Sequence, residues 1–147
     1  MKKCILILFF VSSLAYTQEL RISTIRDYGP FYSTGNLHAV IYFIPYHILT
    51  RYPYNVEDVK RAYHLKIEIR EVSEISGFLE RIENTSYVMA DNGSLDLRNV
   101  VEIIYNNETI FSFSLSGGNV IIDGNEYTDG IVFRDFYSQY LPLNHSN

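Results

Sequence analysis

Several stretches of the chain have the pattern of apolar and polar residues that is expected of β-strands. Residues 65–70 alternate apolar with charged side chains, and this period of two predicts a strand buried on one face. Residues 37–49 are rich in Val, Ile, Tyr and Phe and predict a more deeply buried strand, which Pro45 must end or bend. Weaker alternation over residues 19–25 predicts a first strand near the N-terminus.

Three other segments repeat apolar residues at helical spacing. The first follows Asn55, a residue suited to an N-cap, and its early Glu57 and Asp58 complement the helix dipole. Ser73 is predicted to cap the second helix, and residues 130–142 are predicted to form the third. The expected apolar faces are Ile75, Phe78, Leu79 and Ile82 in the second helix and Ile131, Val132, Phe136 and Tyr140 in the third.

Two tight turns are predicted in the second half of the chain. Asn106–Asn107 tolerates positive φ, and Asp123–Gly124 is the strongest short hairpin signal in the sequence. The predicted order is strand, strand, helix, strand, helix, four strands and helix. Strands joined by tight turns run antiparallel. The expected class is therefore α+β, with a mostly antiparallel β-sheet, two short central helices and a C-terminal helix packed on one face.

The N-terminus has the layout of a secretory signal peptide. Two lysines precede an apolar run over residues 4–11, and small residues follow at Ser13 and Ala15. The apolar run is shorter than the roughly 20 residues that cross a bilayer. We therefore predict a signal peptide of residues 1–15 and a single exported domain of residues 16–147, which would be periplasmic or extracellular.

Removal of this leader changes the charge and the cysteine content. The net charge falls from −5 to −7 because Lys2 and Lys3 leave with it, and Cys4 is the only cysteine in the chain. Nucleic-acid binding is not expected, since it requires clustered Lys and Arg. A mature chain without cysteine has no disulfide, thiolate metal site or cysteine nucleophile. This composition is typical of a bacterial periplasmic or surface protein, and the mature chain has no predicted transmembrane segment.

No catalytic or metal-binding motif stands out. The histidines are His38, His47, His64 and His145, and none lies in a nucleophile motif. Residues 91–96 resemble the start of a calcium loop with Glu102 at its twelfth position, but Asp96 stands where that loop needs glycine. We therefore expect no catalytic residue, no metal ligand and no cofactor.

Tyrosine is the unusual feature of the composition, with 13 residues and no tryptophan. Residues 45–55 combine two prolines with Tyr46, Arg51, Tyr52 and Tyr54. Tyrosine is enriched at recognition surfaces, so these four residues are the predicted binding residues. The alternative is that the rings cover the edge of the core and keep their hydroxyl groups in water.

Three kinds of function fit these observations. The first is a non-enzymatic exported binding protein, such as a periplasmic inhibitor or immunity-type protein that recognises another protein, a basic one. The second is a small exported hydrolase or ligand-binding domain whose site is dispersed over residues such as His47, Asp58 and Tyr63. The third is a structural component of an envelope assembly, which would show an open sheet edge or an apolar patch.

Overall fold

The computed structural model describes residues 19–20, 36–49, 51–90, 96–116, 118–128 and 130–141. The predicted signal peptide, most of the first predicted strand and most of the calcium-like segment lie outside the described residues. The helices within the described ranges lack the combination of length and apolar character that a membrane span needs.

The described residues form eight strands and three helices. They are β1 (Glu19–Leu20), β2 (Leu37–Phe43), α1 (Val56–Ala62), β3 (Leu65–Ile69), α2 (Val72–Glu83), β4 (Tyr87–Val88), β5 (Asn99–Tyr105), β6 (Glu108–Ser116), β7 (Asn119–Ile122), β8 (Asn125–Tyr127) and α3 (Ile131–Ser138). The α+β class is confirmed. The two-residue strand β4 was not predicted, since two residues are too few to show a period.

Six of the strands form one antiparallel sheet in the order β3-β2-β5-β6-β7-β8. Both predicted turns are confirmed, because Asn106 and Asn107 have φ of 49° and 69°, and Asp123 and Gly124 have φ of 51° and 79°. Positive φ at both central residues matches the twist of the two strands that such a turn joins.

The sheet continues past β8 through the segment around β4. Ala90 donates its backbone N–H to the carbonyl of Glu126 (2.8 Å), and Thr128 donates to the carbonyl of Val88 (2.9 Å). Strand β1 pairs antiparallel with β4. The edge of β8 is therefore covered by the protein's own backbone.

The main core lies between one face of the sheet and the helices α2 and α3. Ile41, Val101 and Phe113 are direct neighbours across β2, β5 and β6 and belong to a buried cluster with both helices. The rings of Phe78 and Phe136 are stacked with centroids 4.3 Å apart. We call this side of the sheet the aromatic face.

Helix α1 lies on the opposite side of the sheet, which we call the α1 face. Its Val59 is fully buried in a second cluster with Val100 of β5, and Lys60 reaches Glu102 on the same strand. Alternate residues of a strand point to opposite faces, so the α1 side is opposite Val101. The expected layout placed the helices together on one face. That layout holds for α2 and α3. It is wrong for α1, because β5 is buried on both faces and its pattern does not indicate on which side a helix packs.

Helix α1 begins as predicted, whereas the start of α2 and the end of α3 differ from the predictions. Helix α3 ends at Ser138, although residues 130–142 were predicted to form it. Asn55 caps α1 in a reciprocal capping box: its side-chain oxygen accepts from the backbone N–H of Asp58 (3.0 Å), and its backbone N–H donates to the Asp58 carboxylate (3.2 Å). The prediction that Ser73 caps α2 is wrong. The N-cap is Glu71, whose carbonyl accepts from the backbone N–H of Ile75 (3.2 Å), because the chain turns into the helix almost directly after β3.

The apolar face of α3 also differs from the prediction. Ile131 was expected to be buried, but its side chain is 52% exposed. The buried residues of the helix are Phe133, Phe136 and Tyr137, which have the i, i+3, i+4 spacing of one helical face. The rings of Phe133 and Phe136 pack against Phe78, and Tyr137 packs against Phe43, so Ile131 is turned towards solvent.

Candidate functional site

The loop of residues 45–55, which joins β2 to α1, exposes three large side chains close together in the sequence. We call it the tyrosine loop; its Thr50 lies outside the described residues. Leu49 is 95% exposed, Tyr52 is 66% exposed and Tyr46 is 54% exposed. Single exposed apolar residues are common on protein surfaces, but several on one loop are typical of an interaction site.

A buried arginine anchors this loop through hydrogen bonds. Arg98 donates from Nη1 to the carbonyl of Ile48 (2.8 Å) and from Nε and Nη2 to Oδ2 of Asp96 (2.9 and 2.6 Å). The other oxygen of Asp96 accepts from the backbone N–H of Tyr54 (2.9 Å). Because hydrogen bonds between charged groups are the stronger ones, the Arg98–Asp96 pair fixes both the middle and the end of the loop.

Backbone hydrogen bonds fix the same loop at its two ends. Ile44 donates to the carbonyl of Arg98 (2.8 Å), and Leu97 donates to the carbonyl of Tyr54 (2.9 Å). Within the loop, Ile48 donates to the carbonyl of Pro45 (3.0 Å). The backbone is therefore held at several points, while the side chains of Leu49 and Tyr52 stay exposed.

The four predicted binding residues divide into two pairs. Arg51 and Tyr52 are both exposed, and the Arg51 guanidinium lies 5.4 Å from the centre of the Tyr52 ring. Tyr54 is half-buried, and the Arg98 guanidinium lies 5.8 Å from the centre of its ring. Tyr46 exposes much of its ring, but burial raises the pKa of its hydroxyl and the nearby Arg98 charge opposes that rise. Tyr46 and Tyr54 thus also help to anchor the loop on the protein.

The loop carries little of the protein's negative charge. Residues 45–55 include no Asp or Glu, and the Arg98 charge that lies beneath them is paired with Asp96 at 2.6 Å. Arg51 contributes an exposed positive charge instead. Close contacts to the tyrosine loop would therefore be mainly apolar and aromatic, while the acidic residues of the protein lie outside this loop.

The structure gives His47, Asp58 and Tyr63 separate surroundings. His47 is an exposed turn residue, the carboxylate of Asp58 caps α1, and the ring of Tyr63 lies edge-on to Tyr42 at 5.4 Å. Across the described ranges, no three His, Cys, Asp or Glu side chains are grouped in a way that could hold a metal ion.

A cavity of about 430 Å³ opens on the α1 face, beyond the N-terminal end of α1. Two serines of β6, Ser112 and Ser114, contribute polar groups to its wall. The remaining lining residues are Pro53, Tyr54, Asn55, Val56, Leu97, Phe113, Ile121, Asp123 and Gly124. This cavity was not predicted from the sequence. The available signal was the alternation of serine with Phe111, Phe113 and Leu115 along β6, which leaves one face of a central strand polar.

Comparison with known proteins adds no relative from which a function can be carried over. No protein-family model matches the chain, and neither a curated protein nor a solved structure matches it. The function therefore has to be inferred from the residues of this protein itself.

Proposed function

We propose that this protein is an exported, non-enzymatic binding protein that recognises another protein through the tyrosine loop. The supporting observation is the combination of an anchored backbone with exposed Leu49, Tyr52 and Tyr46. Aromatic side chains bury a large area at low entropic cost and supply much of the energy of protein interfaces. A loop that is ordered before binding also loses less conformational entropy when the partner arrives.

The proposed partner is a basic protein, and the proposed role is that of a periplasmic inhibitor or immunity-type protein. The chain without its leader would carry a net charge of −7, whereas the tyrosine loop has no acidic residue. We therefore assign different tasks to the two features. The net charge accelerates the encounter with a basic surface, and the exposed side chains of the loop hold the partner at close range.

The experiment combines capture of a partner with loop variants. The protein is immobilised, exposed to an envelope extract at low and high salt, and the bound proteins are identified by mass spectrometry. Affinity for the purified partner is then measured for Leu49→Ala and Tyr52→Ala. Truncation of a residue at the centre of an interface costs about 2 kcal/mol or more, so we expect affinity to fall at least roughly 30-fold.

Ile131→Ala is the matched control, because Ile131 is similarly exposed (52%) but lies on α3. Its affinity should equal that of the unchanged protein. High salt should slow association and leave dissociation nearly constant. A partner that binds the double variant Leu49→Ala/Tyr52→Ala as tightly as the original protein would contradict the role of the loop.

The cavity supports a second candidate, a ligand-binding domain. Its lining is mostly apolar with a few polar groups, the composition that is usual for small-molecule sites. None of His47, Asp58 and Tyr63 is among the lining residues, so we propose binding alone for this site. The fluorescent probe 1-anilinonaphthalene-8-sulfonate should bind saturably, and Ser112→Leu, which fills the cavity, should abolish this binding. If the probe bound Ser112→Leu as well as it binds the unchanged protein, the cavity would be ruled out as the site. Leu49→Ala is the control and should bind the probe as the unchanged protein does.

A further inference from the structure

Strand β3 forms one edge of the six-stranded sheet. It pairs with β2 on one side, and no strand among the described residues pairs with its other side. The opposite end of the sheet differs, because the segment around β4 covers β8. An uncovered edge presents backbone N–H and C=O groups that can pair with another strand.

The two faces of β3 differ in chemistry. Leu65 and Ile67 are half-buried and Ile69 is buried, and all three pack against the core of the aromatic face. Lys66 and Glu68 are exposed, and they lie on the α1 face because Lys66 pairs across the strands with Tyr42. The edge therefore combines incompletely covered apolar side chains with one positive and one negative charge.

We propose that two copies of this chain form a dimer by antiparallel pairing of their β3 strands, with Ile67 at the two-fold axis. In this register Lys66 lies opposite Glu68 of the partner subunit, and the symmetric pair repeats the contact. Leu65 lies opposite Ile69 of the partner subunit. The sequence around Ile67 is thus complementary to its own reversed copy in charge as well as in hydrophobicity, as a two-fold interface requires.

Neighbouring registers lack this complementarity. A shift of one residue places charged side chains opposite apolar ones, since side-chain direction alternates along a strand. A shift of two residues places Lys66 opposite Lys66 of the partner subunit in one direction, and Glu68 opposite Glu68 of the partner subunit in the other. Like charges directly opposite each other destabilise a strand pair. Among these registers, the one centred on Ile67 is the one that satisfies both faces.

Dimerisation on this edge is independent of the tyrosine loop and goes beyond the proposed recognition function. It would join the two sheets into one continuous sheet and cover the half-exposed Leu65 and Ile67. In the monomer, Glu68 forms an ion pair with Arg70 at 2.8 Å, but both side chains are substantially exposed and such a pair contributes little to stability. The cross-subunit pairs can replace it.

Charge reversal tests the register directly. Sedimentation equilibrium of the purified protein should show a concentration-dependent dimer. Lys66→Glu places two acidic pairs across the interface, and Glu68→Lys places two basic pairs there, so each single variant should dimerise about tenfold more weakly. The double variant Lys66→Glu/Glu68→Lys should recover the original dimerisation constant. An equimolar mixture of the two single variants should form a heterodimer, because every cross-subunit pair is then attractive.

Two substitutions outside β3 control for net charge. Arg134→Glu changes the charge as Lys66→Glu does, and Glu80→Lys changes it as Glu68→Lys does; both sites are exposed helix positions. Neither should alter dimerisation. A protein that stays monomeric up to its solubility limit would overturn the proposal. A dimer that is insensitive to both β3 reversals would overturn it as well, since that dimer would use another surface.

Discussion

The two faces of the sheet are built in different ways. On the aromatic face, the Phe78 ring contacts three others, with centroid distances of 5.6 Å to Phe113, 5.6 Å to Phe133 and 4.3 Å to Phe136. Two helices cover this face and close it with rings in edge-on, tilted and stacked arrangements. Such pairs add stabilisation beyond that from the buried area alone.

The α1 face is covered less completely and contains more polar groups. Its helix has seven residues, and Val59 is its buried residue. Lys60 forms an ion pair with the largely buried Glu102 at 2.8 Å, and the cavity opens beside the serines of β6. The comparison indicates that the aromatic face supplies most of the stability, whereas the α1 face and the adjoining tyrosine loop hold the cavity and the proposed binding residues.

The largest expected effect comes from a substitution in the core of the aromatic face. Phe78→Ala removes a fully buried ring and should lower the free energy of unfolding by about 4 kcal/mol. Val59→Ala is the matched change on the α1 face and should cost no more than about 2 kcal/mol, because fewer carbon atoms leave the core. Urea unfolding of both variants measures the difference. Equal losses of unfolding free energy in the two variants would contradict the conclusion that the aromatic face supplies most of the stability.

The next effect concerns the ion pair of the α1 face. Lys60→Met leaves the carboxylate of Glu102 largely buried without its partner and should destabilise the protein by about 2 kcal/mol. Lys60→Met/Glu102→Leu replaces both groups and should recover most of that loss. If the double variant were as unstable as the single one, the loss would come from packing of the lysine chain instead of the unpaired charge.

Alkaline pH tests the aromatic face through Tyr137. Burial raises the pKa of Tyr137 above its ordinary value of 10.0, so the unfolded chain ionises first as pH rises. Full stability is therefore kept below about pH 10 and is lost above it, by about 1.4 kcal/mol per pH unit for this group. Tyr137→Phe removes this contribution and should flatten the alkaline limb of stability measured against pH.

Near pH 7, Tyr137→Phe should leave the free energy of unfolding almost unchanged. The buried Tyr137 hydroxyl has no hydrogen-bond partner among the described residues, so its removal breaks no bond. The hydrogen bond to Glu102 raises the pKa of Lys60 above its ordinary value of 10.5 by favouring the charged form. This contribution to stability is therefore also lost above about pH 10.5, and Lys60→Met is the second variant for the alkaline comparison. An alkaline limb unchanged in Tyr137→Phe would contradict the assignment to this tyrosine.

The smallest expected effect is a stabilisation of helix α2 on the aromatic face. A Cβ added at Gly77 would meet no atom within 4 Å, and glycine within a helix costs about 1 kcal/mol relative to alanine. Gly77→Ala should therefore stabilise the protein by roughly that amount, measured by thermal unfolding. The adverse control is Gly130→Ala, whose Cβ would lie 3.0 Å from the carbonyl oxygen of Gly118. Destabilisation by Gly77→Ala would show that α2 packs more tightly there.

Local structure was largely predictable from the sequence. The alternation in β3, the cap of α1 at Asn55 and the turns at Asn106–Asn107 and Asp123–Gly124 depend on neighbouring residues, and all are present in the structure. The α+β class followed from their order. The predicted cap of α2 was wrong. Ser73 is a good N-cap by residue type, but the helix starts earlier, almost directly after the end of β3.

Only the tertiary structure decided how these elements combine. Because β5 is buried on both faces, its sequence gave no preference for the side on which α1 packs. The anchoring of the tyrosine loop joins Arg98 to Ile48, 50 positions earlier in the chain, and the cavity is lined by residues from Pro53 to Gly124. Short-range patterns determine turns and periods, whereas the exposed loop, the cavity and the uncovered edge of β3 depend on contacts between distant segments.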